Sequence, residues 1–222
     1  MHIPDHRNKS ATDILAIMAP LDSATYFYLA ICWFDLYTRE GKFQVLLNAA
    51  ISARMGIEYL LFEEVLLSCE DGLSEEEYKK CLKDSRKLEK VLNRLQPEYV
   101  KLKEFTQAFA KLEPKAPILI NWDIKALLKQ WGVLSSILHW CGANIYTTMS
   151  DEWLSKTGVN IGGVIESLWN KKTSGQSGIM HVNDMKPDTK LIWEAFKAGK
   201  INSSSVIKRL EIMRPIIERQ NV

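Results

Sequence analysis

The chain has 222 residues, enough for one large domain or two small ones, and for a core that needs neither metal nor disulfide to hold it. Hydrophobic residues make up 46% and charged residues 25%, which excludes disorder and fibrous architectures. The net charge is only +2, without the basic excess of a dedicated nucleic-acid binder, so any such role has to rest on local clustering of charge.

The opening MHIPDHRNKSATD lacks the order of a secretory signal, a basic region before an apolar core and a small-residue cleavage site. Ser10 with Asp13 predicts a short helix ending near Pro20. The next runs from Asp22 to Thr38, capped by Asp22 or Ser23 and closed by Gly41. Its apolar stretch, Ala24 to Phe34, is well short of the ~20 residues that cross a bilayer. It reads as a helix buried on most sides, with Asp35 reaching polar surroundings. From Lys42 to Cys69 runs the longest uninterrupted pattern. Leu46, Leu47, Ala50, Met55, Ile57, Leu60, Leu61, Val65 and Leu66 cover more than one of its faces, which suits a central helix packed on by several neighbours.

Ser74 with Glu77 forms a capping box and predicts a helix from Glu75 to Leu95. Pro97 either opens a new helix or kinks a continuous one, because the apolar seam Leu88, Leu92, Leu95, Tyr99, Leu102, Phe105, Phe109 and Leu112 keeps its three- and four-residue spacing across it. This segment is expected to fold back against 42–69 as a long antiparallel hairpin. Pro114 and Pro117 mark Glu113 to Ile120 as the internal boundary, giving halves 1–113 and 114–222 packed as one globular unit.

Asn121 is expected to cap a helix to about Tyr146, with Ile124, Leu127, Leu128, Trp131, Leu134 and Leu138 as its apolar face. Ser150 starts a shorter helix that stops before Gly158, and Gly162 and Gly163 precede another, Val164 to Lys171. Residues 172–187 read as a loop with a short strand at Ile179 to Val182. Asp188 caps a helix ending at Gly199, and Ser203 to Ser205 open the last, with Pro215 a kink or terminus inside it. No internal repeat and no sustained alternation occurs. The fold class is therefore all-α: a multi-helix bundle around long antiparallel helices, with a loop-rich C-terminal third.

On the helix Glu75 to Leu95, Lys79, Lys80, Lys83, Arg86, Lys87, Lys90 and Arg94 fall within an arc of roughly 120° at about 100° per residue. Tyr78, Cys81, Leu82, Leu88, Val91, Leu92 and Leu95 fill the opposite half. One face docks while the other presents a positive strip, suited to a phosphate backbone or an acidic protein surface. The bland alternative is a solvated face moderated by Glu75 to Glu77 and Asp84. No aromatic residue interrupts the strip, which speaks against single-stranded nucleic acid.

Arg54 and Glu58, four apart in a very apolar helix, form either a local ion pair or the polar centre of a cleft to which Glu63 and Glu64 add carboxylates. His181, near Ser174, Ser177, Asn183 and Asp184, is the one histidine assignable to acid–base work, set against a flexible glycine-rich loop. Gly175-Gln176-Ser177-Gly178 is not the hydrolase elbow. His139 and Cys141 do not face one site, and His2 and His6 lie at the terminus, so no metal or cofactor is expected. Cys32, Cys69, Cys81 and Cys141 have no paired spacing and read as reduced, buried thiols, with a Cys69–Cys81 disulfide as the alternative. Trp33, Trp131 and Trp140 read as core. Trp153, Trp169 and Trp193 either line a groove or are buried between helices.

The stretch Ala49-Ala50-Ile51-Ser52-Ala53-Arg54-Met55-Gly56-Ile57-Glu58-Tyr59-Leu60-Leu61 resembles a core helix of the HEPN superfamily of helical bundles. Many members are metal-independent ribonucleases of toxin and antiviral systems, using an Arg and a His a few residues apart in a late helix. No Arg here precedes a His at that spacing, and His181 follows Lys171 and Lys172 at a longer gap. The resemblance implies a non-catalytic relative, commonly a binding module.

The expected function is a cytoplasmic, non-enzymatic interaction or adaptor protein, possible as a homo-oligomer and without a membrane segment, binding an acidic protein or other anionic partner through the basic helix face. The alternatives are an RNA- or DNA-binding protein and a divergent ribonuclease acting near Arg54, Glu58 and His181.

Overall fold

In the computed structural model, residues 21–68, 76, 88–95, 97–112, 117–138 and 150–219 are described. They form eight α-helices: α1 (Ser23–Glu40), α2 (Phe43–Ser68), α3 (Leu88–Leu95), α4 (Tyr99–Ala110), α5 (Ile124–Ser136), α6 (Asp151–Thr173), α7 (Pro187–Lys197) and α8 (Ser203–Arg219). A single 3-10 turn, Val182–Asp184, lies between α6 and α7. The chain is an all-α helical bundle, as the periodicity predicts. Ser10–Pro20, the capping box at Ser74 and the end of the helix expected to reach Tyr146 lie outside the described residues.

Helix α1 begins where Asp22 accepts from the Thr25 backbone N–H at 2.8 Å, and ends at Gly41, whose φ of 64° only glycine adopts without strain. After that two-residue turn the chain reverses into α2, the central helix, which packs on α1, α3, α5 and α6. Leu46, Ala49, Ala50, Ala53, Ile57, Leu60, Val65 and Leu66 are all buried, on more than one side. By length and composition α2 would also qualify to cross a membrane, but half of its most apolar stretch is buried among the other helices.

Small residues set the closest approaches. A Cβ added at Gly56 would stand 2.5 Å from the Phe27 ring of α1, and one at Gly162 would stand 2.0 Å from Phe34. Gly158 likewise leaves room for Tyr37, whose hydroxyl donates to the Leu154 carbonyl at 2.9 Å. This corrects the reading of Gly158 and Gly162 as helix ends. One helix, α6, runs from the Ser150 cap to Thr173, and its glycines are notches for the α1 rings.

The seam across Pro97 divides. Helix α3 ends at Leu95, Pro97 and Glu98 form a turn, and α4 starts at Tyr99. Leu92 and Tyr99 join the core built around α1 and α2. Leu102, Phe105 and Ala108 join a second cluster with Met185, Ile192, Trp193, Phe196, Val206 and Leu210. Among the described residues, the expected hairpin against 42–69 is met by α3 and by the first turn of α4, through Tyr99 and Lys103, while the rest of α4 packs chiefly on α7 and α8. Pro97 lacks the N–H a continuous helix needs, which lets the direction change there.

Other boundaries move for local reasons. Asp123, not Asn121, caps α5, its Oδ1 accepting from Lys125 N and Ala126 N at 2.9 and 3.1 Å. Pro187 occupies the first turn of α7 and Asp188 lies within it, so Asp188 is not the cap. Helix α8 continues through Pro215 to Arg219. In place of a strand at 179–182 there is one bridge, Leu119 to Gln176, with Gln176 N donating to Ile118 O at 2.8 Å.

Candidate functional site

Helix α3 carries the described part of the basic face. Leu92 is 2% exposed and packs into the main core, whereas Lys90, Asn93 and Arg94 are exposed. Lys79, Lys80, Lys83, Arg86 and Lys87 lie outside the described residues. On the following helix, positive charge is tied up. Lys101 pairs with Glu98 and donates to the Lys197 carbonyl at 2.9 Å, and Lys103 points into the protein.

Arg54 and Glu58 form a local pair, with Arg54 Nε donating to Glu58 Oε1 at 3.1 Å. Trp131 of α5 completes it: its indole N–H donates to the same oxygen at 2.8 Å, and the Arg54 guanidinium lies 4.6 Å from its ring centre. His181 stands elsewhere, before the 3-10 turn, in a segment tethered to α4 where Met180 N donates to Thr106 Oγ1 at 2.8 Å. The polar contacts of Arg54 and Glu58 are with each other and Trp131, not with His181. Among the described residues, no group of three or more His, Cys, Asp or Glu is placed to hold a metal.

Glu63 and Glu64 do not extend the Arg54–Glu58 pair. Adjacent on α2, they serve two separate buried networks. Glu63 accepts from the Ser23 backbone N–H at 2.7 Å, from the Ser23 hydroxyl at 2.6 Å and from Lys172 at 3.2 Å, tying the start of α1 and the end of α6 to α2. Glu64 accepts from the Tyr99 hydroxyl and, at 2.5 Å, from Lys103, with side-chain exposures of 2% for Glu64 and 3% for Lys103.

Burial dominates the electrostatics of this second network. It pushes the Lys103 ammonium below the usual lysine value, an effect opposed by the Glu64 charge and hydrogen bond and reinforced by Lys171. The Tyr99 phenol is held far above the ordinary tyrosine range by burial, then by the neighbouring carboxylate and its hydrogen bond. Two donors hold one enclosed carboxylate oxygen, and neither cation nor phenol faces solvent. The chemistry available is fixation of α4 on α2, with no open position for a reactant.

Beside this network lies a cleft of about 200 Å³ between α5 and α6, lined by Trp122, Asp123, Gln130, Ser167 and Lys171 over Leu127 and Leu168. The Lys171 ammonium lies 5.0 Å from the Trp122 ring centre. Sequence reasoning missed Lys103, Lys172 and Trp122. Lys103 carries a usable signal, since it sits between Leu102 and Phe105 in an apolar seam. Lys172 and Trp122 gain their roles only from helices distant in sequence.

The expectation that the tryptophans of apolar helices are core is corrected at Trp33, which is 37% exposed, and the expectation of buried thiols is corrected at Cys32, which is exposed and free. Both lie on the outer side of α1, with the exposed Tyr28 and Leu29, because α2 and α6 cover only the Phe27, Ala30, Phe34 and Tyr37 side. Trp193 is buried in the second cluster. Comparison with protein-family models, curated proteins and solved structures returns no match to this chain.

Proposed function

We propose that the protein is a non-enzymatic helical interaction protein whose basic face, spanning Lys79 to Arg94, docks on an acidic partner surface. The observation that supports this reading is the orientation of α3: Leu92 is locked into the core while Lys90 and Arg94 are exposed. A helix anchored through its apolar side does not have to order its backbone on binding, which lowers the entropic penalty of association. The absence of aromatic residues among the basic ones favours a protein surface over single-stranded nucleic acid, which needs stacking platforms. The enclosed Glu64 network and the separation of Arg54–Glu58 from His181 contacts support a binding role over catalysis. The likeness of 49–61 to a HEPN core helix fits the same proposal as that of a non-catalytic relative.

The test is fluorescence anisotropy with a labelled poly-glutamate peptide and with generic RNA and DNA, each at low and moderate salt. The proposal expects salt-sensitive binding of the peptide, lost in the Lys83→Glu, Lys87→Glu, Lys90→Glu variant. Binding of nucleic acid alone would move the same face to the nucleic-acid reading, and no binding of any polyanion at low salt would reject both.

A further inference from the structure

The cleft between α5 and α6 carries features the basic face does not explain. Trp122 is 4% exposed, and its indole N–H is buried without an acceptor among the described residues. A buried donor left unsatisfied costs roughly 1–3 kcal/mol, a cost that an acceptor from outside the fold would relieve. Lys171, over the Trp122 ring, forms no ion pair among the described residues, while its neighbour Lys172 is committed to Glu63. The nearby carboxylate Glu64 is already engaged by Lys103 and Tyr99. Lys171 and Trp122 thus both line the cleft, the one with no ion pair and the other with an unused donor among the described residues. The remaining anion in the lining, Asp123, caps α5, and its charge disfavours a multiply charged guest. Leu127 and Leu168 supply an apolar floor.

We propose that this cleft binds a small organic monocarboxylate, its carboxylate taken by the Lys171 ammonium and the Trp122 indole N–H and its apolar body seated on Leu127 and Leu168. The pattern of an apolar pocket with a few convergent polar groups is that of small-molecule sites in general. The site is independent of the basic face, and either can fail without the other.

The experiment uses the full ¹⁵N-labelled chain and follows its seven indole N–H signals by NMR, with Trp122 identified from Trp122→Phe. Benzoate is the probe, with benzamide as its neutral isostere and inorganic phosphate as an anion without an apolar body. Benzoate is expected to move the Trp122 signal saturably. Lys171→Gln should weaken the response at least about ten-fold, the worth of one charge-assisted hydrogen bond. Ser167→Phe, which fills the cleft from an exposed position, should abolish it even if Lys171→Gln disturbs folding. The proposal is overturned if benzoate produces no saturable shift, if benzamide or phosphate acts as strongly, or if the response survives both substitutions.

Discussion

Replacing Lys103 by Met removes the cation from the most enclosed ion pair among the described residues while keeping most of the side-chain volume. Glu64, 2% exposed, would keep only the Tyr99 hydroxyl as donor, because its other oxygen, Oε1, makes no hydrogen bond among the described residues. Breaking a buried pair from one side is destabilising by about 3–5 kcal/mol, since a desolvated charge is left uncompensated. Converting the whole network to apolar groups, with Glu64→Leu, Tyr99→Phe and Lys103→Met together, leaves no orphaned polar atom there, and such exchanges range from neutral to stabilising by about 1–4 kcal/mol. The triple variant should therefore be more stable than the single one. The assay is urea denaturation followed by circular dichroism and tryptophan fluorescence, with matched slopes required for comparison. The reasoning is refuted if Lys103→Met costs less than about 1 kcal/mol, or if the triple variant is the less stable of the two.

Three further predictions concern the frame around this network. Gly162→Ala should destabilise by about 1–3 kcal/mol through collision with Phe34, whereas Gly163→Ala, with nothing within 4 Å, should stabilise by up to about 1 kcal/mol, as helix propensity dictates; thermal melts of both distinguish notch from helix end. Above the ordinary tyrosine value of 10.0, the unfolded phenol of Tyr99 ionises while the folded one keeps its proton, so stability complete below that pH is lost above it, at up to about 1.4 kcal/mol per pH unit. Denaturation across that window should show a shallower alkaline decline in Tyr99→Phe. Trp131→Phe deprives Glu58 of its indole donor and weakens the Arg54 stacking at a site roughly a third exposed, and should cost about 1 kcal/mol in the same denaturation assay.

Local signals in the sequence carried the elements, and tertiary contacts decided their limits. Asp22 and Gly41 bracket α1 because capping and a left-handed turn are properties of a few adjacent residues. The many-sided apolar pattern of 42–69 marks α2 as central for the same reason. Gly158 and Gly162 misled because a glycine that ends a helix and one that admits an aromatic ring are the same letter, and only Phe34 and Tyr37, more than a hundred residues away, separate the cases. Periodicity carried the seam from Leu88 to Leu112 past Pro97, but spacing cannot reveal that its two halves face different partners. Arg54, Glu58 and Trp131 were each noticed, yet their convergence needed the packing of α5 on α2. Lys103 is marked in sequence by its place between Leu102 and Phe105 in an apolar seam, but its partner Glu64 is set by the packing of distant helices.

The central claim, that the cations of Lys79 to Arg94 form a docking face, is tested most directly by titrating the labelled poly-glutamate peptide against the wild-type chain and the Lys83→Glu, Lys87→Glu, Lys90→Glu variant. Residues 79–94 hold seven cations against Asp84 and Glu89, a net of 7 − 2 = +5, which three reversals take to 5 − 6 = −1. The account predicts binding by the wild type that weakens as salt shortens the screening length below ~10 Å, and none by the variant with its fold intact. Equal binding by the two chains, or no binding by the wild type at low salt, would contradict it.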